Sequence, residues 1–322
     1  MYDLITIGDI KLDTFVTLPP SKKTKLLKRD GWLCLSHGAK IPVTNFEEQI
    51  AGSAPNVAIG VSRLGYKTAI YSVMGGDDTT VLAYAKLQDE KVDTQYIETK
   101  PGMPSSYSAV INYQGERTIL ASHQPFHYHL PKIQKPEWIY IGELGNRYEE
   151  MYQQVIDYIK KDGVKLAINP GAIQLSEKKQ ILFDLISETD LLIVNKNEAK
   201  ALANNTRKDG IEYLIHRLWK LGPEIVVITD GANGTYVFNG IHTTHCQVFP
   251  AKVKEMTGAG DSFAAGFLGA LLANKEVGEA VRWGNANSAS VIQYVGPQPG
   301  LLTRGKINTR LKKHKTIIPK QL

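Results

Sequence analysis

The sequence predicts an α/β protein: a parallel sheet covered by helices on both faces, with a second, smaller sheet beside it. Three observations predict it. From Trp138 onward, short apolar runs of strand length alternate with helical stretches, the rhythm of right-handed βαβ units. Those runs, such as Leu191–Val194 and Ile225–Ile228, are apolar throughout, as strands buried on both faces are. Two earlier regions, about 11–50 and 95–125, carry strand and hairpin patterns without helices between them, so they belong to a different sheet.

Taken in order, Leu4–Ile7 reads as a buried strand closed by Gly8-Asp9. Residues 19–48 read as an extension, with a cationic cluster (Lys22, Lys23, Lys25, Lys28, Arg29) and short strands at Leu33–Leu35 and Lys40–Val43. Val57, Ala58, Val61 and Leu64 fall on one helical face, and Gly65 stops that helix. A strand at Ala69–Val73 is followed by a Gly-Gly-Asp-Asp turn and a helix over Val81–Leu87. Tyr107–Tyr113 and Arg117–Ala121 form a hairpin about Gly115. Trp138–Ile141, Val164–Ile168, Leu191–Val194 and Ile225–Ile228 are strands, and Thr235–Phe238 is hairpin-like. Helices are expected over Tyr148–Lys161, Lys178–Ser187, two stretches after Val194, Asp261–Ala273 and Glu279–Tyr294, and a basic tail over Arg310–Lys315.

Composition narrows the function. With 43% hydrophobic and 22% charged residues, the 322-residue chain is neither disordered nor fibrous. No Pro/Gly/Ser-rich linker divides it, so one domain is expected over 1–322. The net charge of +6 suits an anionic ligand and is too diffuse for a nucleic-acid partner. Two cysteines, Cys34 and Cys246, cannot staple this length, and a reducing, cytoplasmic setting is expected. No apolar run approaches the roughly 20 residues of a membrane span, so no membrane partner is expected.

The most informative stretch is Glu255-Met256-Thr257-Gly258-Ala259-Gly260-Asp261-Ser262-Phe263, opening a strongly apolar helix. Small residues at a helix start let backbone amides converge on an anion such as a phosphate, aided by the helix dipole. Asp261 beside that anion can take a proton from a hydroxyl nucleophile. From pattern alone, the same residues also read as a tight turn with Asp261 as a helix cap.

Two stretches carry a family resemblance. Thr257–Phe263 is similar to the C-terminal motif, and Ala51-Gly52-Ser53-Ala54-Pro55-Asn56-Val57-Ala58 with Arg63-Leu64-Gly65 to the N-terminal motif, of the ribokinase-like family of sugar and nucleoside kinases, also called the PfkB carbohydrate kinases. The resemblance implies a three-layer α/β/α, Rossmann-like core over 1–322, with a β-sheet lid built from about 11–50 and 95–125. It implies ATP and magnesium as requirements. It makes Asp261 the base, with the backbone of Gly258, Ala259 and Gly260 as an anion hole. It places Asp13, Gly52, Asn56 and Glu143 against the acceptor, and Glu198 of Asn195-Lys196-Asn197-Glu198 near magnesium. It places Asn195, the loop Thr229–Gly234 with Gly231, and Asn285 and Gly296 against the nucleotide. Glu255 and Thr257 fall where some members bind a monovalent cation such as potassium, although Glu255 replaces the usual aspartate. Ala51 stands where glycine is usual, the Asp77–Thr80 turn lacks a glycine, and the segment 19–50 is long.

The expected reaction is therefore ATP-dependent phosphorylation of a primary hydroxyl of a ribose- or fructose-like sugar. A nucleoside kinase is the alternative, with Phe15, Phe126 and Tyr128 as candidate walls of a base slot. A sugar phosphate is less favoured, because the sequence shows no basic residue assignable to the pocket. A non-catalytic sensor is disfavoured by the presence of both the base and the anion turn. His123, His127 and His129 read as a surface loop without a companion metal ligand, and their nearness to the hairpin makes one of them a candidate substrate contact. Exposed lid edges invite pairing into a homodimer.

Overall fold

The computed structural model describes residues 1–19, 26–29, 32–114, 116–204 and 210–322. Lys22, Lys23, Lys25 and Gly115 lie outside them. A ten-stranded sheet forms the centre. Seven parallel strands run from the edge in the order Val92–Lys100, Thr68–Gly75, Leu4–Ile7, Trp138–Ile141, Lys165–Ile168, Leu191–Asn195 and Ile225–Thr229. Thr235–Phe238, Thr243–Cys246 and Lys320–Gln321 continue it antiparallel.

Strand alternation divides the core into two layers. Ile5, Ile7, Ile139, Ile141 and Ile168 face a cluster with Met151, Tyr152, Leu182, Leu202 and Leu214 of the helices on one side. Leu4, Trp138, Tyr140, Ala167 and Ile193 face a cluster with Val57, Phe263, Phe267 and Val281 on the other. Apolar side chains on both faces explain why these strands read as unbroken runs. The three-layer α/β/α core is thus present.

The helix Ala259–Leu272 is wedged between the helices Ser53–Arg63 and Val277–Val291. Glycines make that possible: a Cβ at Gly60 would lie 2.5 Å from the Ala265 Cβ, and one at Gly266 would lie 2.7 Å from the Trp283 carbonyl. Close backbone approach fixes where the helix begins, beside the carboxyl ends of the parallel strands. In open α/β sheets that edge is where ligands bind.

A separate four-stranded sheet is ordered Asn45–Ala51, Lys11–Thr17, Ser106–Tyr113, Glu116–Ser122, its middle pair parallel and its outer pairs antiparallel. Leu26–Arg29 and Trp32–Leu35 form a further ribbon.

Several local expectations are corrected. Lys40–Val43 is not a strand; the extended pairing begins at Asn45, where the chain meets Lys11–Thr17. Val92–Lys100 pairs with Thr68–Gly75, so residues 95–100 belong to the large sheet rather than the small one. Lys178 adopts φ +48° and shortens the expected Lys178–Ser187 helix to Gln180–Ser187, with a separate helix, Ala172–Glu177, before it. The basic tail is a helix, Arg304–Lys313, which buries Ile307 and Leu311 while Arg310 donates to the Pro250 and Ala289 carbonyls.

The two glycine environments predict opposite outcomes in urea unfolding. Gly60→Val should cost about 1–3 kcal/mol, because its methyls meet Ala265. Gly305→Ala, in the C-terminal helix with nothing near its Cβ, should gain about 0.5–1 kcal/mol.

Candidate active site

The glycine turn holds its shape by steric necessity. Gly258 caps the helix at φ +74°, and a Cβ there would lie 2.3 Å from that of Pro297. Among the described residues, no acceptor takes the amides of Gly258, Gly260 or Asp261, while the Ala259 amide donates to the Met256 carbonyl at 3.3 Å. The free donors are therefore those of 258, 260 and 261, one position displaced from the expected 258–260 set. Nothing lies within 4 Å of a Cβ built at Gly260, so the turn opens on free space. Three unpaired amides at a helix N-terminus form a site for anionic oxygens.

Asp261 does not cap its helix. Its Oδ2 accepts a 2.8 Å hydrogen bond from Asn56 Nδ2 instead. Asn56, buried, belongs to the opening turn of Ser53–Arg63, whose N-cap is Gly52 at φ +124°. A Cβ at Gly52 would lie 2.2 Å from the Asp9 carbonyl. Gly52 therefore acts through the backbone, by letting this helix start against Asp9. Loss of water raises the pKa of Asp261; the Asn56 N–H, Arg117 and Lys11 pull it down, and the Glu143 charge pushes it up.

Around Asp261 stands a compact set of polar groups. Lys11 and Asp13 lie two apart on one strand and so share a face, with Ser108 directly across from Asp13. Burial pushes Asp13 up to about 6, against the pull of Lys11 and Ser108. Glu143 follows the strand Trp138–Ile141 and pairs with the buried Lys11. Burial acts to raise the Glu143 pKa, but Lys11 and His123 together hold it below the usual carboxylate value. His123 Nδ1 lies 3.2 Å from Asp9 Oδ2, and its Nε2 3.6 Å from Glu143 Oε1. Tyr128 donates to the other Asp9 oxygen at 2.8 Å.

Of the polar groups gathered here, sequence reasoning missed Asp9 and Lys11; it named His123 only as one of three candidate contacts and Tyr128 only as a wall of a base slot. Lys11 had a signal, its period-two spacing from Asp13. His123 had only its place after the hairpin. The three histidines of that loop part company: His127 meets Arg147, and His129 Nε2 lies 3.2 Å from Glu98.

On the other side of Asp261, Asn195 and Glu198 form a reciprocal capping box, the Glu198 Oε2 accepting from the Asn195 amide at 2.8 Å. Burial raises the Glu198 pKa, and the Asp261 charge adds to it. Asn169 donates to the same Oε2 at 3.4 Å. Thr229 aligns with Asn195 in the sheet, and the loop after it turns through Gly231 (φ +52°) and Gly234 (φ +97°). Lys196 clamps Asp230 at 2.7 Å.

Two expected nucleotide contacts have other partners. Asn285 is buried and engaged at both ends, accepting from Thr235 at 2.7 Å and donating to the Cys246 and Gln247 carbonyls. It buttresses the hairpin beneath the Thr229–Gly234 loop. Gly296, at φ +84°, donates its amide to Glu255 Oε2 at 3.1 Å and lies against Gln49 of the small sheet.

Comparison with known proteins shows the family and the fold. The profile described as pfkB family carbohydrate kinase matches residues 29–304. The chain is 26% identical to a ribokinase of Haemophilus influenzae over 316 residues, covering 94% of this chain and 95% of that one. The structure of Arabidopsis thaliana ribokinase complexed with ribose and ATP superposes with a TM-score of 0.78 at 22% identity, covering 97% of this chain and 99% of that one. A Burkholderia thailandensis nucleoside kinase in complex with inosine gives 0.80 at 18% identity, with 98% and 100% covered.

Asp13 yields a stability prediction. A carboxyl raised to about 6 in the folded state binds a proton that the unfolded chain, near 3.9, releases. Its stabilising protonation is complete below about pH 4 and is lost as pH rises through 6. Asp13→Asn should therefore be about 1–3 kcal/mol more stable than the parent at pH 8. Urea unfolding at both ends of the range should show that advantage vanish at about pH 4.

Proposed function

The chain belongs to the pfkB family of carbohydrate kinases, and from that premise we propose that it moves the γ-phosphoryl group of ATP to a primary hydroxyl of a neutral, ribose- or fructose-like sugar. The observation that supports the reading is Asp261 held by Asn56 beside three unpaired amides at a helix start.

Asp13 accepts from the acceptor's hydroxyls, and Glu143 and His123 bound the same pocket. Asp261 takes the proton of the attacking hydroxyl, while the amides of Gly258, Gly260 and Asp261 hold the oxygens of the phosphoryl group in transit. Asn195 and the loop Thr229–Gly234 flank the triphosphate. Glu198 suits magnesium: Oε2 is spent on the capping box, and Oε1 has no protein partner among the described residues. No group of three or more His, Cys, Asp or Glu among the described residues could cage a metal, so phosphate oxygens and water would complete the shell. Magnesium, when bound, neutralises phosphate charge. The small sheet acts as the lid of a single domain over 1–322, excluding water. Its exposed edges, with Phe46 and Leu120 open to solvent, support pairing into a homodimer.

Pocket charge favours a neutral acceptor. Asp9, Asp13, Glu143 and Asp261 converge there, opposed by Lys11 and Arg117. A second phosphate on the acceptor would meet net negative charge. A nucleoside is less favoured, since Phe15, Phe126 and Tyr128 are buried and offer no open slot to a base. Among monovalent cations, potassium has little purchase at Glu255. That carboxylate already takes the Thr257 amide and hydroxyl and the Gly296 amide.

An ADP-release screen over ribose, fructose, glucose, adenosine, cytidine, guanosine and fructose 6-phosphate should show turnover with a free sugar. Strong release with nucleosides or the phosphorylated sugar alone would overturn the acceptor assignment. Asp261→Asn should lower kcat about 10³-fold while ATP still binds by calorimetry, and full activity in that variant would sink the base assignment. Replacing potassium by tetramethylammonium should change the initial rate less than about twofold, the loop being tied by Glu255 already.

A further inference from the structure

An asparagine amide is nearly symmetric in shape, so packing alone does not decide whether Nδ2 or Oδ1 of Asn56 faces Asp261. Hydrogen-bond partners decide it. Asn56 Oδ1 accepts from Gln298 Nε2 at 3.0 Å. The same Gln298 nitrogen donates to the Ile50 carbonyl at 2.7 Å. A backbone carbonyl only accepts, so Ile50 forces the Gln298 NH2 group toward itself. That NH2 then forces the Asn56 oxygen inward and the Asn56 NH2 outward, onto Asp261 Oδ2 at 2.8 Å. Gln298 is buried, and its backbone carbonyl, not its side-chain oxygen, takes Arg63 Nη1 at 2.8 Å, with Arg63 held in turn by Glu90.

We propose that Gln298 is a positioning residue for phosphoryl transfer: anchored on Ile50, it fixes the polarity of the Asn56 amide so that a donor, never an acceptor, meets the base. This rests on the reading of Asp261 as the base. A reversed Asn56 amide sets its oxygen against the carboxylate, which favours the protonated, inactive form. The other charged or titratable groups bearing on Asp261 are Glu143, Asp13, Glu198, Lys11, Arg117 and the Tyr140 phenol. None of them touches Gln298, so a change there reaches Asp261 through Asn56.

The test is the pH dependence of kcat and kcat/KM, for whichever acceptor the screen identifies, in Gln298→Leu, Gln298→Glu, Asn56→Ala and the double variant Asn56→Ala/Gln298→Leu. Gln298→Leu should lower kcat about tenfold, leave the KM for ATP within about twofold, and move the acid limb of the profile up by about one pH unit. Gln298→Glu keeps the size but presents an acceptor to Asn56, and should shift the limb at least as far. In the Asn56→Ala background, Gln298→Leu should cost less than about twofold more. The proposal is overturned by an unmoved acid limb in both Gln298 variants. A loss that multiplies with that of Asn56→Ala overturns it too. If Gln298→Leu does not fold, as judged by thermal unfolding, Gln298→Glu carries the decision. A wild-type chain inactive on every acceptor, or an active Asp261→Asn, overturns the base reading instead. An inactive Asp261→Asn with an unmoved Gln298 series overturns this inference alone.

Discussion

A carboxylate kept short of water, and given one hydrogen-bond donor in return, is the constraint around which this protein is organised. The Asn56–Asp261 hydrogen bond joins the first turns of two helices 205 residues apart in sequence. Each of those helices starts at a glycine with positive φ, Gly52 and Gly258, where a side chain would strike Asp9 or Pro297. The glycines bring the two N-termini together at the edge of the parallel sheet, and the small residues along Ala259–Leu272 hold them there. A few tenths of an ångström of overpacking at Gly60 or Gly266 would be felt at Asp261, because tightly packed helices transmit strain.

On the proposed reading, function and stability pull against each other in the acceptor pocket. Asp13 is kept buried and ionisable at a cost to the folded state. Lys11 offsets part of that cost by lying between Glu143 and Asp13, and His123 bridges Asp9 and Glu143. The result is a network of directional donors and acceptors suited to a polyol. A hydroxyl both gives and accepts hydrogen bonds, whereas a phosphate only accepts and adds charge.

Much of this was legible in sequence, for definable reasons. Strands buried on both faces, such as Trp138–Ile141, announce themselves as apolar runs. The glycine turn and Asn56 sit in compact motifs, so their residues could be named. The strand Thr243–Cys246, next to the sheet edge, carries no apolar run, and the Lys178 break comes from one left-handed lysine with no composition to mark it. Arg304–Lys313 hides its helix because only Ile307 and Leu311 face the core. His123 meets Asp9 across 114 residues, a contact that only the fold creates. Asn285 and Gly296 show the converse: their positions were marked by resemblance, but their atoms are taken up by the protein itself.

Three of the four links between the small sheet and the core run beside Asp9, Asn56 and Glu143. Asp9 lies between Leu4–Ile7 and Lys11–Thr17; Gly52 lies between Asn45–Ala51 and Ser53–Arg63; His123 follows Glu116–Ser122. Each connection is pinned by a contact with its neighbour. The Asp9 amide donates to the Glu143 carbonyl at 2.8 Å, and the Glu143 amide donates to Ser53 Oγ at 2.8 Å. A Cβ at Gly142 would lie 2.1 Å from that same oxygen, so the strand end and the helix start are in direct contact. A rotation of the small sheet relative to the core therefore turns at Asp9, Gly52 and His123, as well as at the fourth link, residues 101–105, and disturbs the groups packed against the first three. On the proposed reading, lid position and pocket geometry are a single coordinate in this fold. An acceptor whose hydroxyls satisfied Asp13, Glu143 and His123 together would stabilise one sheet position, the position in which Ile50 holds Gln298.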